Sequence, residues 1–170
     1  MKRFIGIAAL VIFASFAGHS QSMKFGHVNS EEIIRSLPEF DSANVQLEKL
    51  QKELVNTLEL MSVELNNKND AYTKESKNLS ELVRQTKEQE IVDLNRRMQE
   101  FQQSAQEQLQ NKQVELFQPI YGKVDKAIKD VGKENGFLYI FDISKGSLLW
   151  FDETKSTNVA TLAKAKLGLK

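Results

Sequence analysis

The sequence predicts an α+β protein in which a long antiparallel helical hairpin, a coiled-coil arm, projects from a small β-containing body. Eighty consecutive residues, from Glu39 to Gln118, contain neither proline nor glycine, although two prolines and eight glycines lie elsewhere in the chain. Proline and glycine are the residues that interrupt helices most strongly. Short aromatic and β-branched segments, typical of strands, flank this stretch. The combination favours a protein that holds something over an enzyme.

The first twenty residues have the pattern of a cleavable export signal. Lys2 and Arg3 precede an apolar run that ends at Phe16, which is short for a membrane span, and small residues follow. We predict cleavage after Ala17 or Ser20. The alternative, a buried N-terminal helix, fits the basic and small-residue flanks poorly.

Composition limits how the exported chain is stabilised and what it binds. The chain has no cysteine, so packing or oligomerisation must replace disulfides outside the cytoplasm. Loss of Lys2 and Arg3 leaves 21 basic and 23 acidic residues. With nearly equal numbers of basic and acidic residues, the chain lacks the excess of positive charge that is typical of nucleic-acid-binding proteins.

The opening of the mature chain is predicted to be a strand followed by a short helix. Lys24–Val28 has strand character, and Asn29 or Ser30 is a candidate helix N-cap. Pro38 ends this helix, and the first long helix starts directly after it. The predicted parts are a signal peptide (1–20), a first body strand and short helix (21–40), the hairpin arm (41–118), and the rest of the body (119–170).

Heptad spacing predicts that the arm is a helical pair. The tip is expected at Asn78–Thr86, because this polar stretch lets the chain return to its starting point; one continuous helix is the less favoured alternative. The seam weakens where Gln108 and Lys112 occupy core positions. The seam residues at three-and-four spacing are Leu47, Leu54, Leu58, Met61, Leu65, Tyr72 and Leu79 in the first helix and Ile91, Leu94, Met98, Phe101 and Ala105 in the second.

The end of the chain is predicted to complete the body. Pro119 should bend the returning helix where the arm joins the body, and Gly136 should end that helix. Phe137–Ile143 and Leu148–Phe151 are expected to form a β-hairpin. A last helix, from Asn158 to Leu167, would be capped by Ser156 or Thr157.

Aromatic residues are concentrated in the body, which is small for an independently stable fold. The predicted hairpin barely alternates between apolar and polar residues, so both of its faces should be covered, most simply by other subunits. The residues predicted to form this shared body are Phe25, Val28, Phe137, Tyr139, Phe141, Leu149 and Trp150.

The arm has features of a surface that holds other chains weakly. The apolar stripe of each arm helix is only one residue wide, so each contact with another chain would be weak. Many such contacts on several arms would add up through avidity. At helical spacing, however, such residues usually form only the contact between the two helices. The arm residues predicted to touch a held chain are Met61, Leu65, Tyr72, Met98 and Phe101.

No pattern for catalysis, metal binding or a cofactor is present in the sequence. His27 stands alone without metal-ligand neighbours. Asp142, Asp152 and Glu153 flank the predicted hairpin, where carboxylates are usually solvated turn residues. We therefore expect no enzyme, no metal site and no cofactor.

One segment carries a family resemblance. From Leu109 to Asp142 the sequence reads LQNKQVELFQPIYGKVDKAIKDVGKENGFLYIFD. This order of a Gln-rich helix, Pro-Ile, Lys-Ala-Ile and Lys-Glu-Asn-Gly before an aromatic strand resembles the OmpH-like (Skp) periplasmic chaperones of outer-membrane proteins. The segments Lys24–Ile34 and Leu148–Asp152 also match in kind and position.

The resemblance implies a jellyfish-like homotrimer, whose arms surround a cavity for unfolded outer-membrane β-barrel proteins in the periplasm, without ATP. Residues 74–97 carry six basic and five acidic side chains, so at most weak contact with a membrane surface is expected. The alternative is a structural or adaptor coiled coil of the cell envelope. The heptad pattern is interrupted at Gln108–Lys112. A rigid coiled-coil spacer should keep that pattern, so the sequence favours this alternative less.

Overall fold

The computed structural model describes residues 23–146 and 148–169, so the predicted signal peptide lies outside the described residues. Two very long helices and a small sheet confirm the predicted α+β fold. In chain order the elements are β1 (Lys24–Val28), α1 (Ser30–Arg35), α2 (Pro38–Glu75), a 3₁₀ turn (Ser76–Asn78), α3 (Glu81–Glu134), β2 (Phe137–Asp142), a second 3₁₀ turn (Ile143–Lys145), β3 (Ser156–Asn158) and α4 (Ala160–Lys166).

The arm is an antiparallel pair formed by α2 and the first part of α3. Its tip is tighter than the sequence predicted, because residues 81–86 already belong to α3. Ser80 is the N-cap, and its side chain accepts a hydrogen bond from the backbone N–H of Val83 at 3.5 Å. This cap starts the returning helix directly after the 3₁₀ turn.

Contacts between the two helices keep one register from the tip to the body. Near the tip, Lys68 Nζ lies 2.8 Å from Glu90 Oε2. At the body end, Lys123 Nζ lies 2.5 Å from Glu39 Oε1. The arm therefore behaves as one helical pair along its length.

The returning helix runs through Pro119 into the body, and its bend there remains a prediction. Phe117 and Ile120, on either side of the proline, are both buried. The helix ends where expected: Asn135 is the C-cap, and Gly136 adopts the left-handed conformation with φ of 68°.

The body sheet has the strand order β2-β1-β3, and both neighbours run parallel to β1. Its inner face packs on the helices. Gly26 gives room on this face to side chains of β2, because a Cβ at position 26 would lie 3.1 Å from the Phe137 ring and 3.2 Å from Ile140. The largest fully buried side chains of the body are those of Val28, Ile33, Leu37, Val124, Val131 and Val159.

The predicted β-hairpin does not form within the chain. Leu148–Phe151 is not part of any strand, and the third strand is instead Ser156–Asn158. After the second 3₁₀ turn and the left-handed Gly146, with φ of 63°, Phe151 packs on His27 of β1 instead of beside β2, and the chain continues to the opposite edge of the sheet.

The cap predicted for the last helix is also wrong. Ser156 and Thr157 lie in β3, where they pair with Phe25 and Gly26. Asn158 supplies the capping oxygen, because its Oδ1 accepts the N–H of Ala160 at 2.9 Å.

Asp142 fastens the end of β2 to the start of α1. Its carboxylate accepts hydrogen bonds from the Ser30 hydroxyl at 2.5 Å and the Ser30 N–H at 3.2 Å. It also accepts from the Ser144 hydroxyl at 2.7 Å and the Ser144 N–H at 3.1 Å. Burial alone would raise the pKa of Asp142, but the hydrogen bonds from Ser30 and Ser144 outweigh it and hold the pKa below its ordinary value.

Replacement of this carboxylate by an amide, Asp142→Asn, is expected to cost about 1–3 kcal/mol of unfolding free energy at pH 7. A carboxyl whose pKa is lowered by folding stabilises the native state above its unfolded pKa, and this contribution disappears as the pH falls through its native pKa. The difference between wild type and variant should therefore shrink below about pH 4. Urea unfolding from pH 7 to pH 3 measures it, with exposed Asp125→Asn as the control; a difference independent of pH would contradict the assignment.

Candidate functional site

Two surfaces of the molecule are candidates for function: the arm and the outer face of the sheet. The outer face, here called the aromatic face, is formed by Phe25, His27, Tyr139, Phe141 and Phe151. Side chains two apart in a strand share a face, and β1 pairs Phe25 with Tyr139 and His27 with Phe141. The sheet thus presents these side chains together on its outer side, whereas Phe137 of β2 packs against the core.

The rings of Phe25, Tyr139 and Phe141 lie close to one another, and those of Tyr139 and Phe141 are open to solvent. The centroids of Phe25 and Tyr139 are 6.3 Å apart, and those of Tyr139 and Phe141 are 6.0 Å apart. Tyr139 remains 57% exposed and Phe141 remains 40% exposed. A contiguous aromatic patch of this kind is typical of an interaction surface.

His27 is the one buried polar residue among those described, and it anchors the segment before β3. Its Nδ1 lies 2.9 Å from the Ser156 hydroxyl, and its ring centroid is 4.7 Å from that of Phe151. This pairing fixes the end of Leu148–Phe151 against β1. The contact joins β1 to the start of β3, which is a structural role.

The seven residues predicted for a shared body divide into two groups. Val28 is 1% exposed and Phe137 packs against the same core, so these two stabilise the chain's own fold. The sequence could not separate the core group from the surface group, because the alternation of side chains along the strands is broken by an irregularity between Lys24 and Phe25. The residues that stay at the surface, in part or almost completely, are Phe25, Tyr139, Phe141, Leu149 and Trp150.

The five arm residues predicted to touch a held chain lie in the contact between α2 and α3. Leu65 is buried, and Met61, Tyr72, Met98 and Phe101 are half-buried. The hydroxyl of Tyr72 donates a hydrogen bond to Glu88 across the hairpin. In this conformation these side chains hold the helices together, and their contact with another chain stays a prediction.

Exposed apolar residues occur elsewhere on the arm, and the sequence analysis missed them. Val45 and Val63 are 18 residues apart, about five turns, so they share one side of α2, opposite the seam. Isolated valines among polar residues have no heptad spacing, which is why no pattern marked them. The aliphatic arm residues that are at least half exposed are Val45, Val55, Leu60, Val63, Leu82, Val92 and Val114.

Charges on the arm are largely paired. The hydrogen bond between Lys68 and Glu90 lowers the pKa of Glu90 and raises that of Lys68. Lys87 and Glu75 form a second bridge across the hairpin at 3.6 Å. Because these pairs are exposed, they orient the helices more than they stabilise them.

No three His, Cys, Asp or Glu side chains of residues 23–146 and 148–169 are grouped so that they could hold a metal ion. Within the same residues, no helix combines the length and apolarity of a membrane span. The two surfaces offer contact area, in the form of aromatic rings and scattered aliphatic side chains.

Comparison with known proteins agrees with this architecture. A family model described as outer membrane protein (OmpH-like) matches residues 24–167. An uncharacterized protein of Aquifex aeolicus (strain VF5) is 31% identical over 155 residues, which covers 90% of this chain and 89% of the relative. The match spans the arm and the body, and it confirms the resemblance seen from Leu109 to Asp142. The chain therefore belongs to the OmpH-like family of outer membrane proteins.

Proposed function

We propose that this protein is an ATP-independent holdase of the periplasm, which assembles as a homotrimer and keeps unfolded outer-membrane β-barrel proteins from aggregating between its arms. The family to which it belongs is a family of periplasmic chaperones rather than enzymes. The proposal takes its location from the family and from the export signal expected at residues 1–20. It needs no nucleotide and no cofactor.

The observation that carries the proposal is the arm. Its first helix has 38 residues, a length of about 57 Å. Its buried residues outside the body are few, namely Leu54, Leu65, Leu94 and Ala105. A long helical pair with so little core contributes little to folding, so its length is explained best by what it encloses.

Three such arms would hold a client by many weak contacts. Each arm offers isolated aliphatic side chains, and the seam residues become available wherever the two helices separate locally. Individual contacts of this kind are feeble, but contacts on linked arms act at high effective concentration. A client would be held without a defined fold and kept from meeting other clients.

The trimer is supported by the aromatic face. One face of the sheet packs on the chain's own helices, and the other leaves Tyr139 and Phe141 in solvent. A second or third copy can bury these rings, and the absence of cysteine leaves packing as the means of stabilising the body. Contact with a membrane surface would be weak, because the charges of residues 74–97 nearly balance.

Two pairs of serine substitutions distinguish how clients are held. Val63→Ser with Val92→Ser alters two half-exposed positions away from the seam, whereas Tyr72→Ser with Phe101→Ser alters the seam. We expect the first pair to weaken client binding without changing thermal unfolding, and the second to lower the unfolding temperature of the arm. Unchanged client binding in both variants would contradict a role for arm side chains in holding.

The proposed function is tested by diluting a urea-unfolded outer-membrane β-barrel protein into buffer without nucleotide, with and without the mature protein. Light scattering should fall in proportion to added protein and saturate near three chains per client. If the folded protein fails to suppress scattering even in excess, the alternative of a structural or adaptor coiled coil in the envelope is favoured.

A further inference from the structure

The charges of the arm are divided unevenly along its length. Its body-side half, residues 41–64 and 98–118, carries eight acidic and three basic side chains, a net charge of −5. Its tip half, residues 65–97, carries six acidic and seven basic side chains, a net charge of +1. The nearly balanced total of the mature chain therefore conceals a strongly acidic segment next to the body.

The two halves also differ in how their charges are paired. In the tip half, ion pairs such as that of Lys68 with Glu90 join α2 to α3. In the body-side half, the ion pairs of the described residues stay within one helix, as in Lys112 with Glu115. Exposed carboxylates therefore remain without a partner in this half. Those with no basic nitrogen within 4.0 Å among the described residues are Asp41, Glu48, Glu59, Glu64 and Glu107.

Exposed aliphatic side chains are concentrated in the same half of the arm. Of the seven aliphatic arm residues that are at least half exposed, only Leu82 and Val92 lie in the tip half. On α2, each such residue of the body-side half stands three or four positions, one helical turn, from an unpaired carboxylate. The pairs are Val45 with Glu48, Val55 and Val63 with Glu59, and Leu60 with Glu64. Apolar and anionic groups thus repeat together along this helix.

Charge complementarity decides what can lie on this surface. A segment that carries Lys or Arg beside aliphatic residues matches both kinds of group, because the stems of Lys and Arg cover apolar surface while their charged ends stay in water. A segment rich in Asp or Glu would place like charges opposite one another and be repelled. The carboxylates from Asp41 to Glu64 are spread over about 35 Å of helix, which suits an extended chain.

We infer that the body-side half of the arm binds basic, aliphatic segments of unfolded clients, so that the protein prefers cationic clients to anionic clients of equal length. This inference rests on the proposed function and names the class of client segment that the arms take. Several arms around one cavity would add their negative charges around the part of the client nearest the body. Such a field also speeds the capture of cationic segments, and salt screens it.

The preference is tested with two versions of one urea-unfolded outer-membrane β-barrel protein. In one version, Asp and Glu are replaced by Asn and Gln until its net charge is positive; in the other, Lys and Arg are replaced by Gln until it is equally negative. Fluorescence anisotropy of the labelled client, at concentrations too low for aggregation, measures its binding to the full mature protein. We expect the cationic version to bind at least about tenfold more tightly at about 0.01 M salt, and this difference to disappear at about 1 M salt. Equal binding at low salt would overturn the inference.

A matched pair of variants locates the preference on the arm. Glu59→Gln with Glu107→Gln removes one unpaired carboxylate from each helix of the body-side half. Asp70→Asn with Glu153→Gln is the control, because it removes two exposed carboxylates outside that half and changes the net charge by the same amount. We expect the first variant to reduce the preference for the cationic client at least about threefold, and the control to keep it. Equal losses in both variants would make net charge the cause and overturn the assignment to this surface.

The same binding measurements separate failure of this inference from failure of the proposed function. If the folded protein binds neither client, both are overturned. If it binds both clients with equal affinity, the proposed function stands and the preference alone is overturned. Tighter binding of the anionic client would place the contact at basic residues of the tip half, such as Lys74 and Lys77, and would reject the body-side half as the binding surface.

Discussion

Deletion of residues 58–71 together with residues 89–102 is expected to abolish most of the protection given to clients while leaving the body assembled. Each deletion removes two heptads, and the two stretches face each other, as the pairing of Lys68 with Glu90 requires. The remaining seam stays in phase, but the arm loses about 21 Å of its length. We expect at least about tenfold more protein to be needed for equal suppression of aggregation, because both the enclosed space and the number of weak contacts decrease.

The body supplies the control for this experiment. Sedimentation and Trp150 emission should be the same for the shortened and the full-length chain, since neither deletion touches the sheet or the residues that pack on it. Helical content should fall only in proportion to the residues removed. A shortened protein that protects clients as well as wild type does would contradict the role of the arms.

Ile33→Ala is expected to cost about 2–5 kcal/mol of unfolding free energy. Ile33 is fully buried, and it belongs to the core in which α1, the inner face of the sheet and the base of the arm meet. Loss of its side chain leaves a cavity in a body that has little core to spare. Urea unfolding of the full mature protein measures the loss. Val63→Ala, at a half-exposed arm position, should change stability by less than about 0.5 kcal/mol; equal effects of the two substitutions would contradict the assignment of the core.

The features that sequence reasoning predicted well are those with strong local signals. The long helices follow from eighty residues without proline or glycine, and the cap at Asn29 and the end at Gly136 are encoded by single residues. β1 was placed at Lys24–Val28, where Phe25 and Val28 are residue types that favour strands. In these elements the local preference and the fold agree.

The third strand could not be predicted because its residues carry no strand signal. Ser156–Asn158 is short and polar, and it pairs only because the chain crosses to the far side of β1. Leu148–Phe151 has the stronger propensity but no partner within the chain. Strand propensity describes how well side chains fit a sheet, and the available partner decides where the strand forms.

The candidate site was predicted only in part for a similar reason. Heptad spacing identified the residues at the contact of the two helices, such as Leu65, because burial produces periodicity. Residues such as Val63 lie outside that contact and repeat with no period, so only the structure reveals their exposure. Tyr139 and Phe141 were predicted as residues of a shared body, and that role stays a prediction. Their place on one outer face depends on the register of β1 with β2, which the sequence does not reveal.

The central claim is that three copies enclose one unfolded client between their arms. Native mass spectrometry of the mature protein, mixed with an unfolded outer-membrane β-barrel protein and no nucleotide, tests it most directly. The account predicts a dominant complex of three chains with one client, which is lost in the variant lacking residues 58–71 and 89–102. Clients bound to single chains, or a trimer that takes up no client, would contradict it.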